Sequence, residues 1–198
     1  MRLGFDIDEV IVDLTKRPLE IINEEFDTDF TLDIQKTYII GENVYTGDAE
    51  LDRKIGERFL ELICDDELTE KAPAVKDASK YLKLFKKQGH QIYLVSHRPK
   101  RRMELTVRWL RKHKIPFDKL MAIGLEGQKG PYGRIFNLDM FVDDLMPNLE
   151  NMYKYKNRWR KGLLLLDKPW NRDYIDTNKA IRVYNWKEIN TQLGINNR

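Results

Sequence analysis

Asp6 and Asp8 stand one residue apart in LGFDIDEVIVDL, inside an otherwise apolar stretch. A carboxylate buried there alone would be costly to desolvate. A surface turn accommodates such a pair. So does a metal site at the end of a buried strand, and other polar groups in the chain favour that second reading. Ser96 ends the run QIYLVS and is followed by His97 and Arg98. Asp143 and Asp144 end LDMFVDD, and Lys129 lies between these runs in GLEGQKGPYGR. One or two carboxylates with water and a phosphate oxygen are what Mg2+ prefers. A carboxylate beside such a metal can attack phosphorus. A second can protonate the leaving oxygen and then activate water. A hydroxyl and an ammonium can hold the phosphoryl oxygens as charge redistributes. Each role has a candidate here.

These groups cooperate only if the fold brings them together. Six short apolar runs read as strands buried on both faces: 2–7, 91–96, 120–124, 138–144, 161–167 and 180–186. Helical patterns separate them. Val75, Ala78, Leu82 and Phe85 share one face before Gly89, and Met103, Val107 and Leu110 share another after Pro99. Pro147 opens a third pattern. The alternation predicts an α/β fold, a parallel sheet covered by helices on both faces. In such a sheet all strand ends carrying Asp6, Ser96 and Asp143 lie on one edge, where open parallel sheets bind ligands.

The rhythm breaks between about Thr15 and Pro73. Leu19, Ile22 and Phe26 follow Pro18 on one helical face, and Leu51, Ile55, Phe59, Leu62 and Ile63 form a second stripe. A mostly helical insertion, 15–73, is expected after the first strand, with 1–14 and 74–198 forming the core.

Composition excludes several classes. The chain has 35 basic and 32 acidic residues, a balance that makes a nucleic-acid or acidic-membrane partner a poor fit. One cysteine, Cys64, rules out an intrachain disulfide and a Cys-rich zinc site. Three histidines without His-x-x-x-His spacing disfavour other zinc sites. No G-x-G-x-x-G follows the first strand, which disfavours dinucleotide binding. No apolar run reaches membrane-spanning length and the start lacks a signal-peptide pattern, so a cytoplasmic soluble protein is expected.

FDIDEVI resembles the first motif of the haloacid dehalogenase-like (HAD) phosphohydrolase superfamily, and IYLVSHR its second. Lys129 stands where the third motif's lysine is expected, and MFVDD resembles the acidic fourth. Four motifs in order, from Leu3 to Asp144, make the resemblance specific. It implies a three-layer α/β/α Rossmann-like HAD core, with the insertion as a C1-type cap. SHR, the proline-led APAVKDASKYLKLFKKQGH, LLLLDKPWNRD and RVYNWKEI resemble the 5'-nucleotidase branch, which includes 5'(3')-deoxyribonucleotidases. The resemblance implies a Mg2+-dependent phosphomonoesterase acting on nucleoside monophosphates through an aspartyl-phosphate. Glu9 departs from the pattern, because the superfamily often has Gly there.

Asp6 is then the nucleophile and Asp8 the general acid/base. Asp6, Asp8, Asp143 and Asp144 are the candidate metal ligands, Asp8 through its backbone carbonyl. Asp143 is preferred from the last pair, with Asp144 acting through water or orienting Lys129. Ser96 and Lys129 are expected at the phosphoryl group, with Lys119 as the rival lysine and Ser96 also a candidate helix N-cap. Arg98 is a candidate contact to phosphate or sugar, or the partner of a surface acid. Tyr38 and Tyr45 are candidates to stack on a substrate ring, although aromatics of a helical insertion more often form its own core. The basic run KYKNRWRK (154–161) reads as a solvated helix end. The partner is a small phosphate ester, with a homodimer left open. Two alternatives stand beside this reading: a phosphatase of another metabolite or a nucleic-acid end, and a non-catalytic phosphate-binding regulator.

Overall fold

The structure, a computed structural model, describes residues 1–41, 45–156, 159–174 and 178–194. Six parallel strands form its sheet among the described residues: β1 (Arg2–Phe5), β2 (Gln91–Ser96), β3 (Lys119–Ala122), β4 (Met140–Asp143), β5 (Gly162–Leu166) and β6 (Ile181–Val183), in the order β3-β2-β1-β4-β5-β6. β1 is central, flanked by the two strands that carry Ser96 and Asp143. Phe5 is in register with Leu94 on one side and Val142 on the other. Five of the strands are shorter than their apolar runs, whereas β2 matches its run, and Ser96 and Asp143 are the last residues of β2 and β4.

The eight described helices are α1 (Lys16–Phe26), α2 (Ala49–Ile63), α3 (Asp66–Lys71), α4 (Ala78–Lys87), α5 (Met103–Lys112), α6 (Gly130–Ile135), α7 (Met146–Tyr155) and α8 (Trp186–Gln192). Alternation along β1 assigns its two faces. Phe5 stacks on Phe85 of α4 and on Trp186 of α8, with centroids 6.4 and 5.3 Å away. Gly4 points the other way, toward Phe141 and Leu138; an added Cβ would lie 2.4 Å from Phe141 Cδ2. On that face Met146, Leu149 and Met152 of α7 pack with Tyr93, Val95, Phe141, Leu163 and Leu165. The result is the expected three-layer α/β/α arrangement.

Two helices start later than their sequence patterns suggest. Val75 precedes α4, which begins only after Asp77, held at φ 67°. Pro99 leads into a 3-10 turn, Lys100–Arg102, and α5 starts at Met103, so Ser96 caps no helix.

Chain contacts divide the molecule into two compact units. One is Met1–Val12, Ala74–Asp167 and Asp176–Arg198; the other is Asp13–Pro73 with Lys168–Ile175. In the second unit α1 packs on α2, burying Ile22, Ile55 and Phe59. Gly41 and Gly56 allow backbones to touch there: a Cβ on Gly41 would lie 2.3 Å from Asp52 O. The segment from Lys168, assigned to the core by sequence, clusters with this unit instead. Its 3-10 turn, Pro169–Asn171, packs on the 3-10 turn Leu32–Ile34, Trp170 meets Tyr38 edge-on at 5.4 Å, and Arg172 pairs with Asp33 at 3.1 Å. No described helix is long and apolar enough to cross a membrane.

Candidate active site

The apolar residues that resume after Asp8 close a tight loop. Ile11 and Val12 donate backbone N–H groups to Ile7 O at 2.8 and 2.9 Å, and Glu9 N–H donates to Val12 O at 2.8 Å. Val10, Ile11 and Val12 are buried, and the Trp186 indole N–H donates to Val10 O at 3.2 Å. The turn holds Glu9 at φ 60°, the left-handed conformation that glycine adopts most easily. That geometry accounts for a glycine being usual at this position, and here a buried glutamate occupies it.

Ahead of this loop, Asp6 directly follows the end of β1 and stays beside β4, its N–H donating to Val142 O at 2.9 Å. Carboxylate oxygens of Asp6, Asp143 and Asp144 lie within 4.8 Å of one another, and all three residues are buried. Lys129, at the N-terminus of α6, has a side chain with no exposure. Its Nζ donates to Asp143 Oδ2 at 2.7 Å and lies 2.9 Å from Asp6 Oδ1, an ion pair without the alignment of a directed hydrogen bond. Asp143 Oδ1 accepts from Leu145 N–H and Asn148 Nδ2, both at 3.0 Å. Lys119, by contrast, starts β3 at the amino end of the sheet, exposed, with its ammonium 5.5 Å from the Phe136 ring.

Electrostatics mark this cluster. Burial pushes the Asp6 carboxyl up to about 7; Asp143 and Asp8 add to the rise while Lys129 opposes it. Burial works against the Lys129 charge, but Asp143 and Asp6 outweigh it and hold its pKa above the ordinary lysine value. Lys129 pairs with Asp143 and Asp6 of these three buried carboxylates, an acid-rich balance, and Asp6 Oδ1 lacks a hydrogen-bond donor. All-oxygen ligands in that balance suit Mg2+, whose opposite ligands sit about 4.2 Å apart. Asp6, Asp143 and Asp144 are therefore the residues that would hold Mg2+.

The Asp8 carboxylate lies outside that cluster and faces Arg98. Arg98 Nε donates to both Asp8 oxygens at 3.1 Å, and Nη2 donates to Oδ1 at 2.5 Å. Ser96, buried at the end of β2, accepts from Arg98 N–H through Oγ at 3.1 Å. Asp6, Asp8, Ser96, Arg98, Lys129, Asp143 and Asp144 thus all belong to the carboxyl edge of one unit. His97 lies beside them with Nε2 3.1 Å from Gly127 O; burial lowers its pKa, and Lys129 adds to the drop.

Tyr38 and Tyr45 belong to the other unit. Tyr38 rests against Trp170, Tyr45 lies 6.0 Å from Phe30, and the Tyr45 hydroxyl accepts from Lys36 N–H at 3.2 Å. Two polar contributors, Asn148 and Thr106, escaped the sequence reading. In KYKNRWRK, Lys156 lies 4.9 Å over the Trp159 ring, and residues 157–158 fall outside the described residues.

Comparison with known proteins follows the same line. The family model described as 5' nucleotidase, deoxy (pyrimidine), cytosolic type C protein matches residues 1–197. The chain belongs to this family. A nucleotidase of Clostridium acetobutylicum is 35% identical over 102 residues, 52% of this chain and 50% of its own length. The chain therefore spans about half of that relative. A nucleotidase-named protein of Oceanobacillus iheyensis is 24% identical over 191 residues, covering 96% of this chain and 97% of that one. Among solved structures, a HAD family hydrolase of Deinococcus radiodurans with bound phosphate and sodium superposes with a TM-score of 0.64 at 13% identity, covering 98% of this chain and 94% of that one. That likeness is one of fold. The fold is thus shared with a HAD family hydrolase, the family is that of the matching nucleotidase model, and Asp6, Asp143 and Asp144 cluster at its sheet edge.

Proposed function

We propose that the chain hydrolyses nucleoside monophosphates through an aspartyl-phosphate on Asp6. One observation carries this reading: Asp6, Lys129 and Asp143 meet at one sheet edge in a chain matched along its length by a nucleotidase family model. A carboxylate oxygen of Asp6 attacks phosphorus, and the bond to the ester oxygen breaks with its electron pair. Asp8 delivers a proton to that oxygen, then accepts one from the water that attacks the phosphoenzyme. Ser96 Oγ and Lys129 Nζ donate to the phosphoryl oxygens as their charge redistributes. Mg2+ would be held by Asp6, Asp143 and Asp144, with the Asp8 carbonyl, and would supply positive charge against the phosphate. Residues 1–14 and 74–198, less the Lys168–Ile175 segment, are read as the catalytic unit, and the insertion 15–73 with that segment as the unit that selects substrate, with Tyr38 and Tyr45 its candidate stacking residues.

The test is phosphate release from a panel of nucleoside monophosphates and sugar phosphates, with Mg2+ and with chelator. Mg2+-dependent release with preference for nucleotides is expected. Faster release from sugar phosphates alone would remove the nucleotide from the reading and leave the phosphatase. No release from any ester would remove the catalytic reading altogether.

A further inference from the structure

Arg98 was a candidate contact to phosphate or sugar, or the partner of a surface acid, and its fork is engaged from within the protein. One side of the guanidinium, Nε and Nη2, grips both oxygens of Asp8. The other side, Nη1, donates to Thr106 Oγ1 at 3.1 Å. Thr106 lies in α5 and directs its own hydroxyl proton to Arg102 O at 2.8 Å, so its lone pairs are left to accept from Arg98. The Arg98 backbone N–H is fixed by Ser96 Oγ at the end of β2. The Arg98 side chain is 4% exposed, whereas that of Asp8 is 22% exposed. The guanidinium therefore holds Asp8 from the interior, and Asp8 keeps the face that water can reach.

We propose that Arg98 is a positioning residue, braced by Thr106, that fixes the plane of the Asp8 carboxylate for the water-activating half of the reaction. The proposal rests on the phosphoryl-transfer reading above. In this half-reaction the water oxygen bonds to phosphorus and its proton passes to an Asp8 oxygen. The bond from phosphorus to the Asp6 oxygen breaks, its electron pair returns to the Asp6 carboxylate, and inorganic phosphate leaves. A carboxylate free to turn about its terminal torsion meets the water correctly in only part of its range. A planar fork gripping both oxygens removes that freedom, which a point-charge ammonium does less well.

The experiment compares wild type, Arg98→Met, Arg98→Lys and Thr106→Val in Mg2+, on a nucleoside monophosphate and on an activated aryl phosphate whose phenolate leaves without needing a proton. Phenolate, inorganic phosphate and acid-quenched phosphoenzyme are followed separately. Arg98→Met on the aryl ester should give a burst of phenolate and then slow phosphate release, reduced on the order of 10²-fold, with phosphoenzyme as the accumulated form. Arg98→Lys should recover part of the loss. Thr106→Val should show the same pattern several-fold weaker, and with Arg98→Lys it decides the matter if Arg98→Met does not fold. Loss of burst and turnover together, without accumulated phosphoenzyme, marks a merely structural arginine and overturns the proposal, as does unchanged turnover. If wild type itself forms no phosphoenzyme on either ester, the phosphoryl-transfer reading fails and takes the proposal with it; active wild type beside unaffected variants defeats this proposal alone.

Discussion

A lysine without solvent contact keeps its charge only among anions. Lys129 meets that condition through Asp143 and Asp6, and in return it is the cation set against two of the three buried carboxylates. Lys129→Met should therefore cost about 3–5 kcal/mol in metal-free buffer at neutral pH, read by urea denaturation. Added Mg2+ should shrink that loss, because it replaces the missing positive charge. An equal loss with and without Mg2+ would show that the lysine and the metal do not share one charge balance. Asp6→Asn should keep the fold by circular dichroism while turnover falls on the order of 10⁴-fold or more and no acid-stable phosphoenzyme forms. Retained turnover would mean direct attack by water. Asp6, Ser96 and Asp143 were legible in the sequence because each closes an apolar run, where a polar residue has few structural reasons to be. Lys129 was legible from its position ahead of FVDD. Asn148 and Thr106 were not, since a polar residue in an amphipathic helix looks like a solvated one until tertiary contacts show what it meets. Arg98 was legible as a site residue, but its attachment to Asp8 spans 90 positions of sequence and has no local signal.

At the scale of elements, the site depends on how β1 is clamped between two layers. Gly4 is a glycine because Phe141 and Leu138 crowd the face it presents. Gly4→Ala should destabilise by about 1–3 kcal/mol through overpacking, measured as a lower denaturation midpoint with an unchanged slope. A neutral result would show that Phe141 can swing aside. On the opposite face Trp186 both stacks on Phe5 and holds the Asp8 loop through Val10 O. The strand and helix order could be read because periodicity and glycine or proline stops are local. Helix starts at α4 and α5 were misplaced by a few residues, since the positive φ of Asp77 and the 3-10 turn after Pro99 leave no mark in hydrophobic spacing. The placement of Lys168–Ile175 with the insertion was likewise invisible, because it rests on Trp170 meeting Tyr38 and Arg172 meeting Asp33, more than 130 positions apart.

At the scale of the whole molecule, the carboxyl edge is a standing electrostatic cost. Burial and neighbouring carboxylates raise Asp6 to about 7, so the metal-free fold holds its acids against their mutual repulsion. A divalent ion that binds only the folded state relieves this and shifts the unfolding equilibrium by mass action. At a hundredfold excess over its Kd, Mg2+ should add about 2.7 kcal/mol. For a chain of 198 residues that corresponds to a rise in Tm of roughly 5–11 °C. Asp144→Asn should shrink the rise, because it removes one ligand oxygen's charge while leaving the Lys129 ion pairs to Asp6 and Asp143 in place. Calorimetry on both proteins, with Mg2+ and with chelator, makes the comparison, and a monovalent salt of equal ionic strength controls for screening. If the monovalent salt reproduced the rise, the effect would be screening of surface charge. If neither Mg2+ nor Mn2+ moved the Tm of the wild type, the three acids would not be a metal centre, and the protein's own cations, Lys129 among them, would have to carry the charge balance.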